Sequence, residues 1–235
     1  MIRYSTLRKK PKDLLALTGL SRREFDELLP MFEQSLPQPR KRRQRRQRAP
    51  GGGRKPALST AADKLLFILV YMKTYPLQAV QAQLFGMSQP SANRYIGQLL
   101  PALAEALDTL GVMPERDGPA VAQHERRQGE ARDLIIDGVE RRRQRPKRPE
   151  IQAIHYSGKK KAHTDKNVVV VNTQTKRVSF LSNTLPGSVH DKKLADHVRI
   201  RYPKNATLRS DLGLLGYTPD VREHLQPKKS PRVRS

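Results

Sequence analysis

The chain has no cysteine, few aromatics, few acids and no long apolar run. Each shortage removes a class of protein. Without cysteine there is no disulfide and no thiolate metal site. The longest apolar stretch, around Leu65 to Met72, is bounded by Lys64 and Lys73 and is far too short to span a bilayer. The N-terminus, Met1-Ile2-Arg3-Tyr4-Ser5, lacks the apolar core of a secretory signal. A soluble, cytoplasmic protein is therefore expected. Acids number 22 against 46 Lys and Arg, a net charge of +24. An excess of this size points to a polyanionic partner, nucleic acid first. A membrane surface is the competing polyanion, but the densest charge lies in a run without an apolar face, so no membrane partner is expected.

At 235 residues the chain is long enough for two domains. Residues 1–39 read as a helical pair. Its first helix runs from about Pro11 to Leu17 and is stopped by Gly19. Ser21 and Glu24 then have capping-box spacing, and Phe25, Leu28, Leu29 and Phe32 share one face until Pro37 and Pro39 end the pattern. Residues 40–58 read as a flexible linker, with seven basic residues and two glutamines between Arg40 and Arg48 and then Pro50 to Pro56. A spacer needs no such charge density. Each cation near a phosphate releases condensed counterion, so Arg42, Arg43, Arg45, Arg46, Arg54 and Lys55 are candidate DNA contacts.

Residues 59–113 have the layout of a helix-turn-helix. An apolar helix starts at Ser59 or Thr60, with Asp63 completing the cap. After Tyr75-Pro76-Leu77, a second helix reaches Phe85, Gly86-Met87-Ser88 makes a tight turn, and a third helix runs from Gln89 to Leu100. In that motif the helix after the turn presents its first turns to the major groove, where Gln89, Ser91, Asn93 and Arg94 are the candidate contacts. Tyr95, Ile96, Leu99 and Leu100 are expected to face inward. An ordinary helical hairpin has the same spacing, and the neighbouring basic run favours DNA.

Pro114 to Arg132 is polar and marks a boundary before a second domain, 133–235. Leu134 to Ile136 reads as a short buried strand. Asn167 to Asn172 and Arg177 to Leu181 form a hairpin, His190 to Val198 a short helix, and Thr207 to Ser210 a last strand. The expected class is α+β: an all-α domain followed by an α/β domain with a mixed sheet.

Asp137 and Asp211 each close an apolar, strand-like run. One such aspartate would read as a turn residue; two at strand ends read as a metal site. Divalent ions held between fixed acids suit phosphodiester chemistry, because each ion can stabilise an attacking or a leaving oxygen.

Several segments carry a further likeness: Gly51 to Pro56, Leu84 to Gln89, Ile136-Asp137-Gly138-Val139-Glu140, Gln144-Arg145-Pro146, Tyr156 to Lys161, Pro186 to Asp191, Ser210-Asp211-Leu212-Gly213 and Gly216-Tyr217. In their order and spacing they resemble the DDE transposases of bacterial insertion sequences, in the branch related to the eukaryotic Harbinger elements.

The resemblance implies an RNase H-like domain in which Asp137 and Asp211 are the first two metal-binding acids, holding two Mg²⁺ or Mn²⁺ ions. It also implies binding to the element's terminal inverted repeats and to target DNA, and a homodimer by analogy. Arg141, Arg142, Arg143 and Arg145, with Lys159, Lys160 and Lys161, would line a DNA-facing surface; a solvated loop is the other reading. Gly138 is expected to let the backbone turn away after Asp137. His190 and Asp191 fall on the family's Ser-x-His-Asp stretch, where they would support a metal ligand or hold DNA, with helix capping by Ser188 and Asp191 the alternative.

The family's third acid, a Glu on a later Arg-rich helix, has no counterpart before Ser235, and Glu223 is too close to Asp211 to be it. The expectation is therefore a C-terminally truncated or frameshifted transposase, inactive or impaired alone. The alternatives are a non-catalytic DNA-binding repressor of transposition and an RNase H-like nuclease.

Overall fold

The computed structural model describes residues 1–37, 56–127, 129 and 133–228. They fall into two compact units, Met1–Val112 and Met113–Ser235. The candidate contacts Arg42, Arg43, Arg45, Arg46, Arg54 and Lys55 lie outside the described residues.

The first unit is all-helical among its described residues, with α1 (Tyr4–Leu7), α2 (Pro11–Thr18), α3 (Arg22–Gln34), α4 (Ala61–Thr74), α5 (Gln78–Leu84) and α6 (Gln89–Thr109). Local chemistry sets their ends. Gly19 closes α2 at φ 76°, a left-handed conformation that costs glycine little. The capping box of α3 is complete: Glu24 N–H donates to Ser21 Oγ at 3.3 Å and Ser21 N–H to Glu24 Oε2 at 2.7 Å. Thr60 caps α4 by accepting from Asp63 N–H at 3.0 Å.

All residues from Leu65 to Val70 are buried, so α4 is apolar around its circumference and runs through the centre of the unit. Leu14, Phe25 and Phe32 from α2 and α3 share one core with Phe67, Phe85, Ile96 and Leu99. The helical pair and the helix-turn-helix region are thus packed together. Asp63, itself buried, accepts from Tyr4 N–H at 2.9 Å and from Arg3 Nη1 at 3.0 Å, which ties α1 to the central helix. α6 extends past the expected end at Leu100. Pro101 removes a single N–H from the ladder, and Ala102, Leu103 and Ala106 keep the buried face going.

The second unit opens with a 3₁₀ turn (Gly118–Ala120) and α7 (Val121–Arg127), then a curled mixed sheet. Its elements are β1 (Asp133–Arg142), α8 (Pro149–His155), β2 (Tyr156–Ser157), β3 (Ala162–Asn172), β4 (Val178–Leu181), β5 (Leu185–Pro186), α9 (Asp191–Val198), β6 (Thr207–Ser210), a 3₁₀ turn (Leu212–Leu214) and β7 (Glu223–Leu225). The strand order is β2-β3-β1-β6-β7, with β4 and β5 also on the outer side of β3. β1 is antiparallel to β3 and parallel to β6, and β6 is parallel to β7. The whole is an α+β protein, and its second unit is consistent with an RNase H-like fold.

β1 is longer than the expected Leu134–Ile136, because β3 goes on pairing with it as far as Arg142↔Thr164. Its burial alternates: Leu134 and Ile136 are buried and Ile135 is exposed. The core lies on one face only, where Leu134, Ile136, Val168, Val170, Phe180 and Leu208 meet Leu194 and Ala195 of α9. The segment from Glu115 onward packs within this unit. Glu115 N–H donates to Ser179 O at 2.9 Å, its carbonyl accepts from Leu181 N–H at 3.0 Å, and Val121 is buried. No helix among the described residues is long and apolar enough to cross a membrane.

Candidate active site

Parallel pairing of β1 and β6 ends at Ile136↔Ser210, so Asp137 and Asp211 are each the next residue along neighbouring strands. Both are exposed. Period-two alternation turns Asp137 to the face of Ile135 and Val139, away from the buried Ile136. Asp137 Oδ1 accepts from Gly138 N–H at 2.7 Å. Asp211 Oδ1 accepts from Gly213 N–H at 3.0 Å and caps the 3₁₀ turn Leu212–Leu214.

The Asp211 corner is braced from β7: Gln226 Nε2 donates to Asp211 O at 2.8 Å, and His224 Nε2 lies 2.8 Å from Ser210 Oγ. Burial holds the His224 imidazole below its ordinary value. Glu223 pairs with Thr207, at the start of β6 and thus the far end from Asp211, so it adds no carboxylate to the pair.

Gly138 does not turn the chain away from Asp137. It stays in the strand, paired with Val168, and it is glycine for another reason. A β-carbon there would lie 3.0 Å from Asp191 Oδ1. Helix α9 starts with His190 as its N-cap, Nδ1 accepting from Lys192 N–H at 3.3 Å. Ser188 Oγ instead donates to Ile154 O at 2.6 Å, so the cap is neither Ser188 nor Asp191. Asp191, half-buried, pairs with Lys166 Nζ at 3.1 Å.

Two polar partners on the closed face were not picked out as functional from sequence, Lys166 and Glu140. Thr164 Oγ1 donates to Glu140 Oε1 at 2.6 Å, and Lys166 Nζ lies 4.0 Å from Glu140 Oε2. Burial pushes the Glu140 carboxyl up, but hydrogen bonds from Ser157 and Thr164 and the charges of Lys166 and Lys160 outweigh it and hold it below its ordinary range. The signal in the sequence was phase. Lys166 lies in step with Val168 and Val170, so a strand extended back by one residue puts a charge in a buried row.

Two adjacent carboxylates, each engaged by a backbone N–H close to it in the chain, are hard oxygen donors of the kind Mg²⁺ and Mn²⁺ prefer. The donor set fits such an ion as part of a coordination shell. Among the described residues no group of three or more Asp, Glu or His is arranged to hold a metal.

Cations gather beyond the acids. β1 ends and β3 begins at the same end of the sheet, which brings Arg141, Arg145, Lys159 and Lys160 to that end, all exposed. Arg141 is roughly 13 Å along the strand from Asp137 at the usual rise per residue. Its Nη2 donates to Asn167 Oδ1 at 2.8 Å, and Arg145 Nε donates to Gln152 Oε1 at 3.0 Å.

In the first unit, α5 and α6 flank a turn in which Gly86 has φ 63°. Gln89, Asn93 and Arg94 are exposed at the start of α6, and Ser91 is half-buried. Inward, Ile96 and Leu99 are buried, while Tyr95 and Leu100 are partly so. Ser91 and Arg94 line an open groove of about 900 Å³ with Arg3, Gln83, Ser88 and Gln98. Asn93 Nδ2 donates to Gln78 Oε1 at 3.1 Å, so the half-buried Gln78 extends this polar set.

Two family models match the chain. Residues 56–109 match the helix-turn-helix of DDE superfamily endonuclease, and residues 136–211 match the DDE superfamily endonuclease. The second match runs from the residue before Asp137 to Asp211 itself. A search of curated proteins and a search of solved structures each returned no match. The two matched regions make this a DDE-superfamily transposase-like protein. Their order, a helix-turn-helix region followed by an endonuclease region, supports a transposase-like DNA-binding endonuclease.

Proposed function

We propose that this protein is the transposase of a bacterial insertion sequence, acting on DNA in the cytoplasm at the nucleoid. The observation that carries the reading is the adjacency of Asp137 and Asp211 on neighbouring parallel strands within the matched endonuclease region. Gln89, Ser91, Asn93 and Arg94 on α6 read the element's terminal inverted repeats. Asp137 and Asp211 hold divalent metal, Mg²⁺ or Mn²⁺. A bound ion supplies Lewis-acid stabilisation of the oxygens that enter and leave phosphorus. Arg141, Arg145, Lys159 and Lys160 hold the phosphate backbone so that the scissile bond lies over the acids. Two DNA ends call for two copies of the chain.

The test combines binding and cutting. The purified chain is expected to shift DNA from the ends of its own element more strongly than random DNA, and Arg94→Ala to weaken that shift about tenfold, within the range of a lost base or phosphate contact. With Mn²⁺ it nicks such DNA, and Asp137→Asn lowers nicking by about a thousandfold, the scale of losing several kcal/mol of transition-state stabilisation. Nicking that survives Asp137→Asn rejects the catalytic assignment. A second reading has its own support: with no third metal-binding group among the described residues, the chain would occupy the repeats as a repressor of transposition. It predicts the same gel shift and no nicking by the parent chain. Equal binding to random DNA with metal-dependent nicking indicates a general nuclease instead.

A further inference from the structure

Lys166 stands where a strand core ordinarily has an aliphatic side chain. It points into the closed face of the sheet in step with Val168 and Val170, and its side chain is 7% exposed. Nζ donates to Val189 O at 2.9 Å and to Asp191 Oδ1 at 3.1 Å. A buried ammonium persists only where such partners replace its water.

The other end of this pair lies against two glycines. A β-carbon at Gly138 would be 3.0 Å from Asp191 Oδ1 and 3.1 Å from its Cγ, and one at Gly213 would be 3.1 Å from Oδ2. All three distances are tighter than about nine in ten real contacts of a β-carbon. Gly138 follows Asp137 in β1, and the Gly213 N–H is the donor to Asp211. One carboxylate therefore fills the space a side chain would take at Gly138, next to Asp137, and at Gly213, two residues past Asp211, and one buried lysine fixes that carboxylate in place.

We propose that Asp191, anchored by Lys166, is a positioning residue for the acid pair: wedged between Gly138 and Gly213, it sets how far apart Asp137 and Asp211 stand. This rests on the metal-holding role assigned to the pair above. Asp191 acts from behind the strands, through backbone, and needs no place in the coordination shell. Partners of this kind commonly govern metal affinity as strongly as some ligands do.

The test is Mn²⁺ binding by the full chain, followed by the paramagnetic resonance of free Mn²⁺, beside thermal unfolding of each variant. Asp191→Asn, which keeps the shape, is expected to weaken Mn²⁺ binding about tenfold or more. Gly138→Ala changes no charge but pushes on the wedge, and is expected to weaken binding likewise. Lys166→Met gives a test of sign. Loss of a nearby positive charge alone would tighten binding of a cation, whereas release of Asp191 loosens it.

Mn²⁺ affinity within twofold of the parent in both Asp191→Asn and Gly138→Ala overturns the positioning role, as does tighter binding by folded Lys166→Met. If Lys166→Met does not fold, the charge-neutral Gly138→Ala decides. Asp137→Asn separates the two levels: if it abolishes binding, a failure of the wedge variants rejects only the positioning role. If it leaves binding unchanged, the metal role of the pair is wrong and the positioning role falls with it.

Discussion

The two faces of the sheet have opposite characters along the same strand. Leu134 and Ile136 of β1 are 0% and 1% exposed, whereas Ile135 and Val139 are 41% and 40% exposed. The closed face carries α9, the aliphatic core and the Lys166 ion pairs; the open face carries Asp137. A strand's period of two makes the division possible: each residue that anchors the strand is followed by one that is presented to the outside. Asp137, exposed itself, gains a fixed position from the burial of its neighbours rather than from its own.

The contrast can be broken most severely from behind. Ile136→Ala is expected to cost about 2–5 kcal/mol in urea unfolding, as a fully buried aliphatic truncated in a packed core does. Gly187→Ala comes next, at about 1–3 kcal/mol by overpacking. Its β-carbon would fall 1.9 Å from Thr164 Oγ1, the hydroxyl that donates to Glu140.

Acid probes the closed face more gently. The Glu140 carboxyl is held below its ordinary value of 4.5, so the stability it contributes is present above that value and is lost as pH falls through the lowered native value. Urea midpoints taken from pH 7 to pH 3 are expected to fall less steeply below 4.5 in Glu140→Gln than in the parent. The smallest effect belongs to the open face, where Ile135→Ala is expected to cost under about 1 kcal/mol. If Ile135→Ala and Ile136→Ala prove equally costly, the division between the faces is wrong.

Much of the helical unit was legible because its signals are local. Gly19, the Ser21/Glu24 box and the α4 cap are each set by a few consecutive residues: Gly19 closes α2 and Ser21 opens α3 as expected, and of Ser59 and Thr60 it is Thr60 that opens α4. Thr207–Ser210 was read as a strand to the residue, being bounded by its own turn chemistry. What failed was set by partners distant in sequence. Nothing in Gly138-Val139-Glu140-Arg141-Arg142 marks a strand, yet β3 pairs with all of it. β7 was missed for the same reason, since Glu223–Leu225 is ordered by β6 alone.

The acid pair stands out from its sequence setting, and Asp191 reads there as a support for a metal ligand or a DNA contact, but the glycines it meets are not legible. Asp191 is far from both Gly138 and Gly213 along the chain, and only the docking of α9 brings the three together. The meaning of Gly138 was misread for this reason: a glycine can answer a turn or a close approach, and the approaching group was out of sight.

The edges of the sheet carry one more consequence. The outer side of β3 is taken in succession by β2, β5 and β4, at Tyr156↔His163, Asp165↔Pro186 and Val169↔Leu181, and the opposite edge is the three-residue β7. Among the described residues, a sheet finished this way offers no long bare strand on which another chain could build. A crowded population of this very basic protein therefore has little template among its described residues for cross-β growth.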